Sequence, residues 1–310
     1  MLISEVDNLP KWNGREKPFY ENYYLKVNIK GLDAALWLRY TFLSPIGGRP
    51  EASVWAAFFD AKNSKRNFAI KETVGIDEFA FYKTKFELNI GGAILNNCGA
   101  GGRLIKNGND VSWNISWKAR ETSFKNLPFP LYYLPFPTTK VVAPNENVIA
   151  DGFFTINGVK YEVHGEKLHQ GHVWGKHYSK EWAWANCISF NEDEPAFLEL
   201  LANRFFGLGF ISTSAGSERL IVKGRYGLGF WEFEGFGLKF KIKGKIFSPI
   251  QNIIGVTYTD PDDSKRFCYN TTVADAVIDI YKRNKRLSSA KRAAFEIVNI
   301  APSAEIPVIL

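Results

Sequence analysis

Short runs in which apolar and polar residues alternate recur along almost the whole chain, between glycine, proline and asparagine turns. Early examples are Tyr23 to Ile29 and Leu36 to Phe42, and later ones are Val111 to Trp117 and Leu238 to Ile246. Alternation with period two, in runs rich in β-branched and aromatic residues, is typical of antiparallel strands. No early segment carries an apolar stripe of helical period over three turns. The pattern predicts an all-β fold.

Two later segments refine this prediction. Asn157-Gly158, between alternating runs, predicts a two-residue hairpin turn. The run from Ala274 to Lys282 fits a strand buried on both faces or a short helix, and a strand is preferred. Phenylalanine, tyrosine and tryptophan make up 15% of the chain, a density that suits strands and apolar pockets.

A proline-rich stretch interrupts the rhythm between residues 126 and 137. Its four prolines, at positions 128, 130, 135 and 137, cannot pair inside a sheet. Because it is too apolar for a free linker, we expect an extended connection pressed against the body near the junction of two halves. The chain is therefore expected to form two consecutive all-β domains, residues 1–140 and 141–310.

Charge and cysteine content limit the kinds of partner and the cellular location that we expect. The formal net charge is +7, and the basic residues are scattered except at 282–286 and 291–292. There a solvated hairpin tip is favoured over a site for nucleic acid or for an anionic membrane surface. No stretch approaches the roughly 20 apolar residues of a membrane span, so no stable membrane insertion is expected. Cys98, Cys187 and Cys268 are few and widely spaced, which favours free buried thiols and a cytoplasmic location. The oligomeric state stays open.

All four histidines lie in one short segment, at His164, His169, His172 and His177. Three interpretations compete. Imidazoles can bind zinc, but intervals of 5, 3 and 5 residues match no zinc motif. The segment can instead be a structural corner with histidines bonded to the backbone. It can also be the wall of an apolar pocket, where a histidine moves a proton and tryptophan faces stabilise positive charge.

The same segment resembles a known family. Gly171-His172-Val173-Trp174-Gly175, followed by Trp182-Ala183-Trp184, resembles the signature of the lipocalin-like group that contains carotenoid 1,2-hydratase, AttH and tocopherol cyclase. Further landmarks are the runs from Ala35 to Tyr40, from Ser53 to Ala56 and from Tyr258 to Asp262. The resemblance implies two lipocalin-like, calycin-type antiparallel β-barrel or sandwich domains packed side by side, the second carrying the GHVWG segment.

The resemblance also implies site residues. In the hydratases of the group, a histidine and a tryptophan two residues apart are implicated, which correspond to His172 and Trp174. They also use a tyrosine and an aspartate further along; the nearest carboxylate here is Glu199, with Glu166 and Glu181 as rival acids. The residues expected to line the substrate pocket are Trp37, Trp55, His169, His177, Trp182, Trp184 and Asn186.

Two functions follow from this. The first is an acid-assisted cyclase, hydratase or isomerase that acts on an isoprenoid or polyketide-like small molecule without a metal or organic cofactor. Protonation of an alkene gives a carbocation, which water or a tethered oxygen then captures. The alternative is a non-catalytic, lipocalin-like carrier of a hydrophobic metabolite, in which His172 would have no chemical role.

Overall fold

The computed structural model describes residues 1–29, 31–190, 196–282, 285–289 and 292–310, with no side-chain description at 285 and 287–289. It is nearly all β, with two antiparallel barrels, one nearly closed and one closed. This confirms the all-β prediction. In the described ranges, none of the helices has the length and apolar composition required to cross a bilayer.

The first barrel is built from twelve strands among the described residues. Their bounds are β1 Phe19–Ile29, β2 Ala34–Ser44, β3 Glu51–Asp60, β4 Phe68–Gly75, β5 Phe79–Phe81, β6 Glu87–Ile90, β7 Ala93–Asn96, β8 Gly99–Lys106, β9 Asn109–Trp117, β10 Phe124–Lys125, β11 Thr139–Ile156 and β12 Val159–Gly175. The sheet order is β4-β3-β2-β1-β12-β11-β9-β8-β7-β6-β5, with β10 paired to β11. Most consecutive strands are neighbours, but β4 and β5 stand at the two ends of this order, β9 pairs with β11 rather than β10, and β12 returns to pair with β1.

The second sheet contains ten strands among the described residues. Their bounds are β13 Trp182–Cys187, β14 Phe197–Ala202, β15 Gly207–Thr213, β16 Gly216–Gly227, β17 Phe230–Phe236, β18 Phe240–Phe247, β19 Ile254–Thr259, β20 Lys265–Lys282, β21 Lys285–Ser289 and β22 Arg292–Asn299. The order β18-β17-β16-β15-β14-β13-β22-β20 closes on itself because β18 also pairs with β20. The run from Ala274 to Lys282 is thus strand, as preferred.

The described helices are short. One α-helix, α1, spans Ile3–Asn8, and 3₁₀ turns span Ser64–Arg66, Ile76–Glu78, Phe129–Tyr132 and Ile250–Asn252. The expected hairpin at Asn157-Gly158 joins β11 to β12, with both residues at positive φ. The sequence pattern did not predict α1, because six residues are too few to show a helical period.

The chain forms two compact units. Unit 1 comprises Met1–Phe58, Phe68–Ser179 and Thr259–Lys265, and unit 2 comprises Phe59–Asn67, Lys180–Tyr258 and Arg266–Leu310. The main division therefore follows Ser179, whereas we expected it at residue 140. The reason is that β11 and β12 pair with β9 and β1 of the first barrel, so the GHVWG segment and the proline-rich stretch both belong to unit 1.

Each barrel has an apolar interior, as strand alternation requires. The first is filled from β1, β2 and β3 by residues such as Leu25, Leu38 and Val54, and by aromatic residues of β9 and β11. The second is filled by residues such as Leu200, Trp231 and Ile278.

The cysteines and the basic cluster are placed as follows. Cys187 and Cys268 are buried, but Cys98 is exposed, unlike the buried thiol expected there. Arg286 bonds to Asp279 beside the β20–β21 hairpin. Positions 283, 284 and 291 of the predicted basic cluster lie outside the described residues.

Candidate functional site

The best-connected candidate site lies inside the first barrel, on adjacent strands β1 and β12. Their antiparallel register sets Tyr23 opposite His172 and Glu21 opposite Trp174. Alternate residues of a strand share a face, and Tyr23 belongs to the interior apolar cluster. Glu21, Tyr23 and His172 are all buried, so a carboxylate and an imidazole meet within the barrel.

The His172 ring is bonded at both nitrogens. Nδ1 lies 3.0 Å from the backbone carbonyl oxygen of Asp7, and Nε2 lies 2.8 Å from Oε1 of Glu21. A carbonyl oxygen can only accept, so Nδ1 carries a proton and donates it. At 2.8 Å a second proton must lie between Nε2 and the carboxyl oxygen. The pair therefore holds one shared proton and is neutral overall.

Glu21 accepts several further hydrogen bonds. Its Oε1 accepts from the backbone N–H of Lys11 at 2.8 Å and from the hydroxyl of Tyr23 at 2.8 Å. Its Oε2 accepts from the backbone N–H of Trp12 at 3.2 Å. These donors engage both carboxyl oxygens and fix the orientation of the Glu21 side chain.

Burial and nearby charges act on the His172 ring. It lowers the pKa of His172 from its ordinary value, while the hydrogen bond and negative charge of Glu21 raise it and the charge of Lys11 lowers it. Burial penalises the charged imidazolium in a medium of low dielectric constant. Burial and the Glu21 contact thus act in opposite directions on the pKa of His172, and burial is the larger influence.

Aromatic rings surround this pair. The Tyr23 ring stacks on the His172 ring with centroids 4.2 Å apart and planes at 14°. The Trp174 ring lies 4.7 Å from the His172 ring, on the same strand. Lys11 Nζ lies 5.4 Å from the Trp174 centroid. The surroundings are thus apolar walls with π faces.

A small cavity adjoins Glu21 and Tyr23. Its volume is about 10 Å³, and its lining residues are Pro10, Trp12, Glu21, Tyr23, Phe42, Phe79, Phe81 and Leu88. That is room for about one water molecule. The structure therefore shows a closed site, and an organic ligand would need part of the wall to move.

The segment before β1 forms part of that wall. Residues 7 to 12 supply the Asp7 carbonyl and the two N–H donors to Glu21 described above. The Trp12 ring packs on Phe42 with centroids 4.2 Å apart, and residues 9–18 form no helix or strand. This segment therefore supplies both cavity wall and hydrogen bonds to the Glu21 carboxyl group.

The glycines of the GHVWG segment are explained by packing. A Cβ atom at Gly171 would lie 2.1 Å from Cζ of Tyr24, and one at Gly175 would lie 2.4 Å from the carbonyl oxygen of Thr138. Both distances are far inside van der Waals contact. Because Gly171 and Gly175 have no side chain, the Tyr24 ring and the Thr138 backbone can pack directly against β12, before and after His172.

The four histidines do not form one cluster. His164 and His172 are eight residues apart on β12, which corresponds to about 26 Å along a strand. His164 is exposed, and His169 is buried on the face opposite to His172. A single metal site built from these histidines is therefore not formed.

His169 instead belongs to the outer face of the first barrel. The Cα register places Lys26 between Trp37 on β2 and His169 on β12. All three side chains are buried. Burial is the largest cause that lowers the pKa of His169 well below its ordinary value, and Lys26 adds to it. Two predicted pocket residues, Trp37 and His169, thus lie beside one buried lysine.

Trp55 lies further along the same outer face, on β3. Its indole N–H donates to the hydroxyl of Thr41 at 3.3 Å. Lys71 Nζ lies 4.6 Å and Arg39 Cζ 5.9 Å from its ring centroid. Cations over an indole face are favourable contacts, and Lys71 and Arg39 both make such a contact with the Trp55 ring.

The remaining predicted tryptophans and Glu199 lie in unit 2. Trp184 Nε1 donates to Oε1 of Glu199 at 2.7 Å, and Trp182 Nε1 donates to Oε1 of Glu296 at 2.9 Å. Glu199 is only 1% exposed. Asn186 is buried opposite Glu199 in the β13–β14 register. The rival acids Glu166 and Glu181 are half-buried.

His177 lies near two carboxylates. One ligand atom each from His177, Asp260 and Asp262 lies within 4.8 Å of the others, a grouping that could hold a metal ion. The Tyr178 N–H donates to Asp260 Oδ1 at 3.1 Å, and the Ser264 N–H donates to Asp262 Oδ1 at 3.0 Å. These oxygens already organise the local turns, so we assign the group no metal.

Glu21 is the functional candidate that the sequence analysis missed. One signal could have found it: it stands on the odd-numbered face of β1, which otherwise presents Phe19, Tyr23, Leu25 and Val27 to the interior. Burying a carboxylate at an interior position of a strand costs free energy unless it has hydrogen-bond or charge partners. The identity of its partner needs the β1–β12 pairing, which the sequence alone does not provide.

Comparisons with known proteins come from sequence and from structure. No protein-family model matches the chain. An uncharacterized protein of Mycobacterium tuberculosis is 22% identical over 299 residues, which cover 89% of this chain and 85% of the relative.

Three solved structures share the fold. An AttH-like protein of Nitrosomonas europaea matches with a TM-score of 0.58 at 7% identity, over 94% of this chain and 99% of that one. Kievitone hydratase of Nectria haematococca matches with a TM-score of 0.54 at 9% identity, over 90% and 88%. CghA in complex with Sch210972 matches with a TM-score of 0.57 at 8% identity, over 96% and 93%.

These structures confirm the fold that the resemblance implied. At 7–9% identity the likeness is one of fold, and it extends over nearly the whole of the chain.

Proposed function

We propose that this protein is an enzyme that uses a buried acid to protonate a carbon–carbon double bond of an apolar isoprenoid or polyketide-like molecule. The observation that carries the proposal is the shared proton between His172 Nε2 and Glu21 Oε1, 2.8 Å apart in an aromatic enclosure. A hydratase among the proteins of this fold supports an activity of this class.

The two members of the pair have different positions and therefore different roles. Glu21 lines the cavity and His172 lies behind it, so Glu21 is the group that delivers the proton. Delivery of the shared proton to an alkene carbon leaves a carbocation and a pair without that proton. Capture by water or by a tethered hydroxyl, or loss of a C–H proton, then releases one proton, which returns to the position between Nε2 and Oε1. Water capture gives a hydrate, capture by a tethered oxygen gives a ring, and loss of another proton gives an isomer.

The aromatic walls favour the cationic intermediate. Ring faces attract positive charge, and a dry site strengthens every electrostatic contact within it. Trp174 and Tyr23 present their faces near the pair. We therefore keep Trp174 in the site, and Glu21 takes the acid role that the sequence analysis gave to Glu199.

Substrate entry requires the site to open. The cavity of about 10 Å³ is far smaller than the roughly 300 Å³ of typical ligand pockets. Trp12 is the largest side chain of its wall that comes from the segment before β1. We propose that displacement of residues 9–16 enlarges the cavity and admits the substrate.

Isotope incorporation tests this function. The protein is incubated in D₂O with a panel of prenylated phenols, terpenoid alkenes and polyketide alkenes, and products are analysed by mass spectrometry. An acid that adds a solvent proton to carbon gives a product with one new C–D bond. We expect this in wild type and not in His172→Gln or Glu21→Gln.

The same panel tests the alternative of a carrier. Ligand binding without deuterium incorporation in any panel member, together with equal binding by His172→Gln, would overturn the enzyme and support the carrier. Native mass spectrometry of freshly purified protein identifies a co-purified apolar ligand to add to the panel.

A further inference from the structure

The proline loop, defined here as residues 126–137, presents large apolar side chains to solvent. Phe129, Tyr133, Leu134 and Phe136 are 61%, 75%, 50% and 75% exposed. Isolated exposed apolar residues are common, but four within eight positions form a patch of the kind that marks an interaction surface. The sequence predicts a loop pressed against the body, but these four side chains are exposed.

The base of the loop is anchored. The Tyr132 hydroxyl donates to the carbonyl of Val141 at 2.6 Å and accepts from the N–H of Leu127 at 3.2 Å. Lys140 Nζ donates to the carbonyls of Leu131 and Leu134. Proline residues further restrict the backbone. These hydrogen bonds fix the base of the loop while its apolar side chains face solvent.

The charge pattern favours one kind of partner. Between Glu121 and Glu146 the chain has no acidic residue, and its basic residues are Lys125 and Lys140 at the base of the loop. An apolar tip without charge can enter a lipid interface without desolvating an ion. The two lysines stay at its base, where Lys140 holds the carbonyls described above and Lys125 pairs with Asp7 at 3.2 Å. Lys125 Nζ lies 5.8 Å from the Phe129 ring centroid.

The loop also lies beside the candidate site. The ring of Tyr132 is 6.2 Å from the ring of Trp174, which in turn is 4.7 Å from the ring of His172. The patch and the His172–Glu21 pair are therefore linked through two aromatic rings of the same unit.

We propose that the proline loop docks this protein on a lipid bilayer surface, with Phe129, Tyr133 and Phe136 inserted at the headgroup boundary. Docking there places the His172 end of the first barrel at the membrane, where apolar molecules dissolve. The delivery of an apolar substrate rests on the proposed function, whereas docking itself does not.

Vesicle flotation tests the docking. The protein is mixed with vesicles of phosphatidylcholine and phosphatidylglycerol, and its partition coefficient is measured for wild type and for the triple variant Phe129→Ser, Tyr133→Ser, Phe136→Ser. We expect the triple variant to bind at least about tenfold more weakly, because each aromatic ring contributes buried apolar area. Unchanged circular dichroism and melting temperature show that the variant is folded.

A matched control comes from unit 2. Phe205 and Phe206 are also highly exposed, so Phe205→Ser, Phe206→Ser removes apolar surface away from the loop and should bind vesicles like wild type. Failure of wild type to float, or equal loss in the control, overturns the proposal. So does a wild-type dimer in sedimentation velocity that only the triple variant dissociates, since the patch would then be covered by a second copy.

The His172→Gln variant separates docking from chemistry. It leaves the loop intact, so it should float with the vesicles like wild type even though it is expected to be inactive. If His172→Gln is fully active and wild type still floats, the proposed function fails and the docking stands. If wild type converts substrate but does not float, the docking fails and the proposed function stands.

Discussion

His172 Nε2 and Glu21 Oε1 lie 2.8 Å apart although 151 positions separate them in the chain. The contact exists because β12 returns across the barrel to pair with β1 in a register that aligns Tyr23 with His172. It places an imidazole against a carboxyl group in an enclosure of aromatic rings. Each residue would be costly to bury alone, and together they form a neutral pair.

Replacement of Glu21 by glutamine should remove the acid while keeping the volume of the side chain. We expect turnover to fall by about 10²-fold or more, the usual contribution of a positioned acid, in an assay of deuterium incorporation from D₂O. Glu199→Gln is the matched control, because Glu199 is also buried but contacts Trp184. Equal losses in both variants would count against a specific role for Glu21.

Tyr23→Phe should remove one donor from Glu21 and leave the ring that stacks on His172. The lost bond is 2.8 Å long and ends on a carboxyl oxygen, so we expect a loss of about 1–3 kcal/mol in the free energy of unfolding. Urea denaturation measures it. The Tyr20→Phe variant, whose hydroxyl bonds to the neutral hydroxyl of Thr139 at 2.8 Å, provides a comparison with an uncharged partner and should lose less.

Gly171→Ala should destabilise the first barrel, because the added Cβ would lie 2.1 Å from the Tyr24 ring. Overpacking of this kind costs about 1–3 kcal/mol, measurable by thermal unfolding. Gly101→Ala is the control, since its nearest atom would lie at an ordinary 3.8 Å. The combination with Tyr24→Leu should restore part of the loss; no recovery would show that the ring is not the obstacle.

Trp12→Ala should enlarge the cavity beside Glu21. The indole is buried against Phe42, so its removal should lower the free energy of unfolding by about 3–5 kcal/mol. Added indole should bind the vacated space and raise the melting temperature of this variant but not of wild type. A melting temperature that does not respond to indole would show that the space collapses.

Stability should fall as the pH drops below about 6.5, the ordinary pKa of an unfolded histidine. Burial lowers the pKa of His169 well below that value. Between the unfolded and folded pKa values of His169 the unfolded chain binds more protons, so this group costs up to about 1.4 kcal/mol per pH unit as the pH falls. His169→Gln should flatten the dependence of the melting temperature on pH between 6.5 and 5; a variant as pH-dependent as wild type would contradict this.

Much of the fold could be predicted from the sequence, because alternation with period two is a local property. The strands, the Asn157-Gly158 hairpin and the likeness around Gly171 to Gly175 all follow from neighbouring residues. The boundary after Ser179 and the short helix α1 do not. The first depends on the return of β11 and β12 to the first barrel, and the second is held by contacts such as the Ile3 N–H to the Glu121 carbonyl.

The site was predictable only in part for the same reason. His172 and Trp174 share a strand and a face, so their proximity follows from their spacing. The same rule sends His169 to the opposite face. Glu21 enters only through the long-range pairing of β1 with β12, and no local pattern specifies that register.

Nuclear magnetic resonance of the His172 ring tests the central claim most directly. With ¹⁵N-labelled histidine at neutral pH, the account predicts a protonated Nδ1 and a strongly deshielded proton shared between Nε2 and the carboxyl group of Glu21. In Glu21→Gln, that resonance should vanish and Nε2 should show the shift of an unprotonated nitrogen. A wild-type ring with an unprotonated Nε2 and no shared proton would contradict it.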